Sequence, residues 1–193
     1  MNVSIKQLAD QVARGHFDTS KEGVILPTGG VGVAGTYFTR KNDEPIQIDH
    51  NTVTTQWLNH LLEVSFNNAT RFITWYMTLI EPGNTVNETW TPGTIQSNNA
   101  ENTSQTEGYN SSTRLEFQTG NASSGEMDNT ANPTIFTINS NSTVNIGGIA
   151  ILSDNTRGGS SGILASITNL ASTRQFQDGD TYEVAYRLRL FAA

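Results

Sequence analysis

The chain has 193 residues, a net charge of −7 and no cysteine. Its eleven Lys and Arg residues are scattered, which argues against a nucleic-acid partner, because binding to phosphates requires a clustered basic stripe. The lack of cysteine excludes disulfides and cysteine-based zinc sites, and a 35% share of apolar residues is typical of a β-sandwich whose strands are solvated on one face.

The first 35 residues are predicted to form an arm. Residues 4–14 have the spacing of a short helix, and a glycine-rich segment without a steady period follows over residues 15–35. An isolated helix of this length is marginal in water. We therefore expect it to order against a neighbouring molecule, with its own domain as the alternative, and its apolar stripe supplies the docking candidates Ile5, Leu8, Ala9 and Val12.

A strand pair and one helix are predicted next. Residues 36–40 and 46–54 are the strands, and the segment between them is rich in turn-forming residues. Trp57, Leu58, Leu61 and Leu62 recur at helical spacing, which predicts a helix over residues 56–66. Residues 72–80 are aromatic and β-branched, as in a central strand.

Residues 81–112 are predicted to be a long surface loop, since they hold few large apolar residues. Short strands follow over residues 114–118, 134–138, 144–152 and 163–167, and residues 149–152 have the composition of a strand buried on both faces. Apolar residues alternate strictly in the final strand, residues 181–191. The expected core includes Trp75, Ile149, Ile151, Val184, Tyr186 and Leu188.

Together these elements predict an all-β fold. We expect residues 36–193 to form an antiparallel, jelly-roll-like β-sandwich with one short helix, preceded by the arm over residues 1–35. Sandwich edges must be covered or paired, so we expect a trimer or a dimer. The chain starts with an amphipathic stretch and holds no apolar run of membrane-spanning length, which predicts no signal peptide and no membrane partner.

Two motifs were considered as cofactor or metal sites. Residues 30–35 match G-x-G-x-x-G, but a strand pattern follows them, whereas a dinucleotide site requires a helix to begin at the last glycine. His60 and Glu63 lie one helical turn apart, but a metal site needs three or four ligands, and His16 and His50 are remote in sequence. We therefore predict no cofactor and no metal.

Catalytic signatures are also missing from the sequence. No G-x-S-x-G elbow is present, which removes the commonest arrangement for acyl transfer. A pair of carboxylates for glycoside hydrolysis is assembled only by folding, so that alternative stays open at this point. We predict that the protein is not an enzyme.

Two segments carry a resemblance to a known family. Residues 74–80 read Thr-Trp-Tyr-Met-Thr-Leu-Ile, and residues 151–162 read Ile-Leu-Ser-Asp-Asn-Thr-Arg-Gly-Gly-Ser-Ser-Gly. Residues 176–188, Phe-Gln-Asp-Gly-Asp-Thr-Tyr-Glu-Val-Ala-Tyr-Arg-Leu, close the pattern. Residues 36–39 and 51–54 are similar to the opening strands of the same family. Over about residues 36–191, the chain resembles small virion accessory proteins of tailed bacteriophages. The resemblance implies a β-sandwich that decorates the head or sits at the neck or tail, and it transfers no catalytic residues.

We therefore expect a non-enzymatic virion protein, first of all a capsid decoration or cement protein that stabilises the head. Its partners would be the major capsid protein or other virion proteins and further copies of itself, and it would be located in the virion. The alternative is a neck or tail component that binds host-surface glycans through Trp90, Tyr109 and Asn110. A glycan-degrading enzyme is the third hypothesis.

Overall fold

The computed structural model describes residues 19–20, 23–24 and 31–192. Strands dominate, and they form antiparallel sheets that confirm the predicted all-β sandwich. The compact unit Val33–Arg189 contains both layers of the sandwich. Apart from it, strands β1 (Thr19–Ser20) and β2 (Gly23–Val24) pair antiparallel with each other.

The two layers have different strand orders. Sheet one runs in the order β4 (Gln47–His50), β3 (Val31–Lys41), β13 (Thr181–Ala192), β10 (Thr134–Ser140) and β7 (Glu107–Tyr109), and β9 (Glu126–Asp128) pairs with β13 beyond the end of β10. Sheet two runs β5 (Thr52–Val53), β12 (Leu164–Phe176), β11 (Val144–Leu152), β6 (Tyr76–Ile80) and β8 (Leu115–Glu116). Within the described residues, the helices are α1 (Thr55–Phe66) and α2 (Pro92–Ser97).

β3 extends further toward the N-terminus than the strand predicted over residues 36–40. It starts at Val31, inside the segment that the sequence assigned to the glycine-rich hinge. Gly35 is buried there, and a side chain at this position would collide with the Tyr186 hydroxyl and the Asn51 amide. The glycine therefore permits close packing within a strand.

The main core lies between the two sheets. The inward residues of β11 and β13 meet there, and Ile149, Ile151, Val184 and Tyr186 are buried as predicted. Trp75 and Leu188 are only partly buried at the margin of this core, so the sequence overestimated their burial. Leu188 pairs with the short strand β9 rather than with β10, and this end of the sandwich is less covered.

Sheet two is buried on its other face as well. Ala150 and Leu152 of β11 pack with Trp90 and with Ile95 of α2 in a second apolar cluster. The two-sided burial predicted for residues 149–152 is confirmed. The cover comes from a segment that the sequence assigned to a surface loop, and α2 within it begins with a Thr91 N-cap followed by proline.

A buried ion pair holds this covering segment in place. The Arg114 side chain is fully buried, and its Nε and Nη2 atoms each donate to a carboxylate oxygen of Glu101 at 2.8 Å. Its remaining donors reach the carbonyl oxygens of Asp154 and Gly159, each at 2.9 Å. Such a bidentate, fully satisfied pair fixes geometry more strictly than apolar packing does.

A second arginine fixes the neighbouring loop. The Arg157 guanidinium lies 3.4 Å from the centroid of the Tyr109 ring and donates to the carbonyl oxygens of Asn102 and Ser104 at 2.9 and 2.7 Å. It also donates to the carbonyl oxygens of Tyr109 and Ser111. The segment predicted as a surface loop is thus hydrogen-bonded to the body over residues 101–111.

Replacing Arg114 with methionine should destabilise the fold by about 3–5 kcal/mol, because Glu101 would remain buried without its partner. The matched control is Arg187→Met, whose side chain is 40% exposed and pairs with Asp128, and which should cost about 0–1 kcal/mol. Urea unfolding of both variants measures the difference. Equal losses would show that the Arg114 pair does not hold the covering segment.

Two truncations that remove the same number of carbon atoms compare burial at two positions of the core. Ile151→Ala should lower the free energy of unfolding by about 2–5 kcal/mol, because Ile151 is 1% exposed. Leu188→Ala should cost less than about 2 kcal/mol, since its side chain is only partly buried in the folded protein. Chemical denaturation of both proteins decides the order, and a larger loss for Leu188→Ala would contradict it.

Candidate protein-binding site

The docking candidates Ile5, Leu8, Ala9 and Val12 lie outside the described residues, so their role stays a prediction.

His60 and Glu63 both lie on α1, and each side chain contacts a residue close to it in sequence. The His60 ring packs against Phe72 with centroids 5.0 Å apart, and the Glu63 carboxylate accepts from Asn67 Nδ2 at 2.9 Å. In the part of the chain that the structure describes, no group of three His, Asp or Glu side chains is placed to hold a metal ion.

The glycan platform suggested by Trp90, Tyr109 and Asn110 is wrong. Trp90 is 7% exposed and belongs to the second apolar cluster, and Tyr109 is fully buried between the Arg157 guanidinium and the Phe136 ring. Only Asn110 reaches solvent. Neither ring can stack on a sugar, because each already has protein on its faces.

Helix α1 is anchored to sheet two through its first turn. The Thr54 hydroxyl accepts the Trp57 N–H at 3.2 Å as N-cap and donates to the Leu164 carbonyl oxygen. The Gln56 side chain accepts the Leu164 N–H at 2.9 Å and donates to the Gly162 carbonyl oxygen at 3.4 Å. These contacts fix the start and direction of the helix.

The outer face of α1 is apolar and faces solvent. The helix contains no buried residue. Of the four residues in its predicted apolar stripe, Trp57 and Leu61 are half-buried, whereas Leu58 and Leu62 are exposed. Leu58, Leu62 and Phe66 are spaced by one turn on the outside and are 36%, 58% and 81% exposed. A helix of a monomeric domain normally turns such a stripe toward the core.

The chain after the helix extends this apolar face. Phe72 is 40% exposed and Ile73 is 83% exposed. The Phe72 ring contacts His60 of α1 and lies edge-on to Trp75 with centroids 6.0 Å apart. We call Leu58, Leu62, Phe66, Phe72 and Ile73 the α1 surface. Together they expose on the order of 500 Å², given ~150–250 Å² for a large side chain.

A small apolar pocket opens beside the α1 surface at the less covered end of the sandwich. It offers about 60 Å³, and its walls include Trp57, Trp75, Phe117, Met127, Tyr186 and Leu188. The partial burial of Trp75 and Leu188 follows from this opening. The pocket is large enough for the end of one apolar side chain and joins the α1 surface through Trp75 and Phe72.

Charge is nearly absent from this region. Between residues 55 and 73 the chain has one acidic residue, Glu63, and one basic residue, Arg71. An apolar surface with few charges gains free energy mainly by leaving water, which is the property of a protein-binding site. Among the described residues, no helix is both long and apolar enough to span a membrane.

A hydrogen-bonded network extends from Tyr186, one of the residues that line the pocket. Asn51 Nδ2 donates to the Tyr186 hydroxyl at 2.9 Å and to Ser166 Oγ at 2.6 Å, and the Tyr37 hydroxyl bonds to Ser166 at 2.9 Å. Burial raises the pKa of Tyr186 to about 12, and burial together with the neighbouring Tyr186 raises the pKa of Tyr37 well above its usual value. Both phenols are therefore neutral hydrogen-bonding groups that link the two sheets.

Comparison with known proteins adds no relative to these observations. No protein-family model matches the chain, and no curated protein matches it either. The function therefore has to be argued from the site itself.

The buried tyrosines predict a loss of stability in alkali. Burial raises the pKa of Tyr109, Tyr182 and Tyr186 to about 12, whereas an unfolded tyrosine titrates near ~10. Because the fold disfavours the charged phenolate, this contribution to stability is complete below the unfolded pKa and is lost as the pH rises from there through the folded pKa.

Tyrosinate absorbance of the folded protein should accordingly rise late, and in denaturant it should rise in one step near pH ~10. Tyr186→Phe should remove one late-titrating group and serves as the assignment control. Early titration of these phenols, with the circular dichroism of the native fold unchanged, would contradict the described burial.

Proposed function

We propose that the protein is a non-enzymatic structural protein of a tailed-bacteriophage virion, a decoration protein that binds the assembled capsid and stabilises the head. The observation that carries the proposal is the α1 surface, an exposed, nearly uncharged apolar surface on a rigid sandwich, which favours a protein that works within an assembly. We expect contact with the capsid itself through the predicted docking stripe of the arm, Ile5, Leu8, Ala9 and Val12. The resemblance over residues 36–191 supplies the kind of assembly in which such a module works.

The size and chemistry of the α1 surface support binding to protein. Its area lies at the upper end of the ~300–600 Å² that the largest apolar patch of a monomer exposes, and such patches are often functional. Glu63 and Arg71 give the region no net charge, so it lacks the basic rim that attracts nucleic acid or anionic lipid. Other virion proteins and copies of the same chain are the partners of matching chemistry.

Stabilisation of the head would follow from mass action. A subunit that binds only the assembled shell lowers the free energy of that state and leaves the free capsid protein unaffected. Rigidity in the subunit favours this role, because little ordering entropy is then lost on docking. The loops held by Arg114 and Arg157 meet that requirement.

The alternative is a neck or tail component that binds host-surface glycans, and with Trp90 and Tyr109 buried only Asn110 of its three suggested contact residues is exposed. A neck or tail protein without that platform would still dock through apolar contacts. The two locations differ in stoichiometry, because a decoration protein accompanies the major capsid protein in a high, fixed ratio.

The test adds the full-length protein to expanded capsids that lack it. We expect saturable co-sedimentation in a high, fixed ratio to the major capsid protein and a higher temperature of capsid disruption. Leu8→Glu, in the predicted docking stripe of the arm, should weaken binding, and Lys6→Gln on the same segment is the matched control. Binding of only a few copies would favour the neck or tail, and capsids whose heat resistance does not change would refute stabilisation.

A further inference from the structure

We propose that the α1 surface binds the α1 surface of a second copy of this chain across a two-fold axis. This inference deepens the proposed function. It rests on one part of it, namely that the α1 surface binds protein. It names the partner there, and it leaves contact with the capsid to other parts of the chain.

The distribution of charge favours a second copy as the partner. The whole chain carries a net charge of −7, so two copies repel each other across most orientations. Residues 55–73 contain one acidic and one basic residue and have no net charge. Two copies that meet at α1 therefore avoid placing like charges together, which would cost several kcal/mol.

The same charge pattern disfavours a membrane. Amphipathic helices that lie on anionic lipid carry Lys and Arg along the polar side of the helix. α1 has no Lys or Arg at all, and its polar positions include Asn59, His60 and Glu63. The apolar stripe therefore has to be covered by another apolar protein surface.

The stripe is symmetric about its middle residue. Leu58, Leu62 and Phe66 are one turn apart, so a two-fold axis near Leu62 places Leu58 of one copy against Phe66 of the other. The two helices then run antiparallel, and their dipoles oppose each other favourably. Phe72 and Ile73 lie beside the helix and widen the contact on both copies.

The available area and rigidity fit a stable pair. One partner of a standard interface buries ~800 Å², and the five side chains of the α1 surface supply on the order of 500 Å² of it. Exposed polar positions that flank the stripe, among them Asn59 and Glu63, would form the polar rim of the interface. Because Thr54 and Gln56 already fix the helix on sheet two, the surface is formed before binding.

The first test measures the mass of the full-length protein by light scattering. We expect a dimer, and we expect Leu62→Glu to convert it to a monomer. Leu62 is 58% exposed, so this variant should fold, and its circular dichroism and urea midpoint verify that it does. Ile135→Glu is the matched control, because Ile135 is 51% exposed on β10 and lies outside the α1 surface, and that variant should remain a dimer.

The second test uses the absence of cysteine from the chain. Leu62→Cys places a single thiol next to the proposed axis, and mild oxidation should link two copies covalently in high yield. Ile135→Cys introduces an equally exposed thiol away from the axis and should give little product. Similar yields for both variants would overturn the proposed geometry.

Four further outcomes would contradict a two-fold contact through the α1 surface. A monomer, a trimer, or a dimer that survives Leu62→Glu would overturn the proposal, as would loss of the dimer in Leu8→Glu but not in Leu62→Glu. None of these measurements involves a capsid. A monomer that still binds capsids would therefore refute only this inference, and a dimer that does not bind them would refute only the proposed function.

Discussion

The two-sided burial of sheet two is the constraint on which the rest of the body depends. β11 turns Ile149 and Ile151 toward the sandwich core and Ala150 and Leu152 toward a second cluster, so the sheet needs a cover that the other layer cannot supply. The chain provides that cover with α2 and the residues around it. Trp90, Ile95 and Ala100 of this segment are buried against the sheet, but most of its other residues are polar and add little apolar packing. The Arg114–Glu101 pair compensates, because both side chains are satisfied by hydrogen bonds in a dry environment and hold the covering segment in one position.

Once the cover is in place, Arg157 and Glu101 use most of their hydrogen-bonding groups within the protein. Arg157 uses its guanidinium on backbone carbonyls and on the Tyr109 ring, and Glu101 is shared by Arg114 and the Gly158 N–H. Groups that recognise small molecules usually keep donors or acceptors free for the ligand. The α1 surface and the pocket beside it are apolar and remain open to solvent. This contrast between internally hydrogen-bonded polar side chains and an uncovered apolar helix directs the functional argument toward protein partners.

The sequence predicted those features that depend on local periodicity. The alternation in β13, the four apolar residues of β11 and the spacing in α1 all follow from how side chains leave a strand or a helix, and each is present. The sequence failed where the outcome depends on distant partners. Arg114 and Glu101 are ordinary polar residues until folding joins them, so residues 81–112 had the composition of a free loop, although Thr91 followed by Pro92 was a usable helix start signal. Trp90 and Tyr109 were misassigned for the same reason.

The candidate site shows a further limit of sequence analysis. Periodicity identifies an amphipathic helix, but it does not say which body buries the apolar side. α1 has more apolar positions than one contact face can cover, since Trp57 and Leu61 face the sheet while Leu62 and Phe66 face solvent. A helix with two apolar sides that is hydrogen-bonded to its own sheet through its first turn has the form of an element placed between two bodies. One of them is sheet two of its own chain. An exposed stripe of this kind is an aggregation liability for a free monomer, so its presence on a well-packed sandwich is consistent with a protein that performs its function in an assembly.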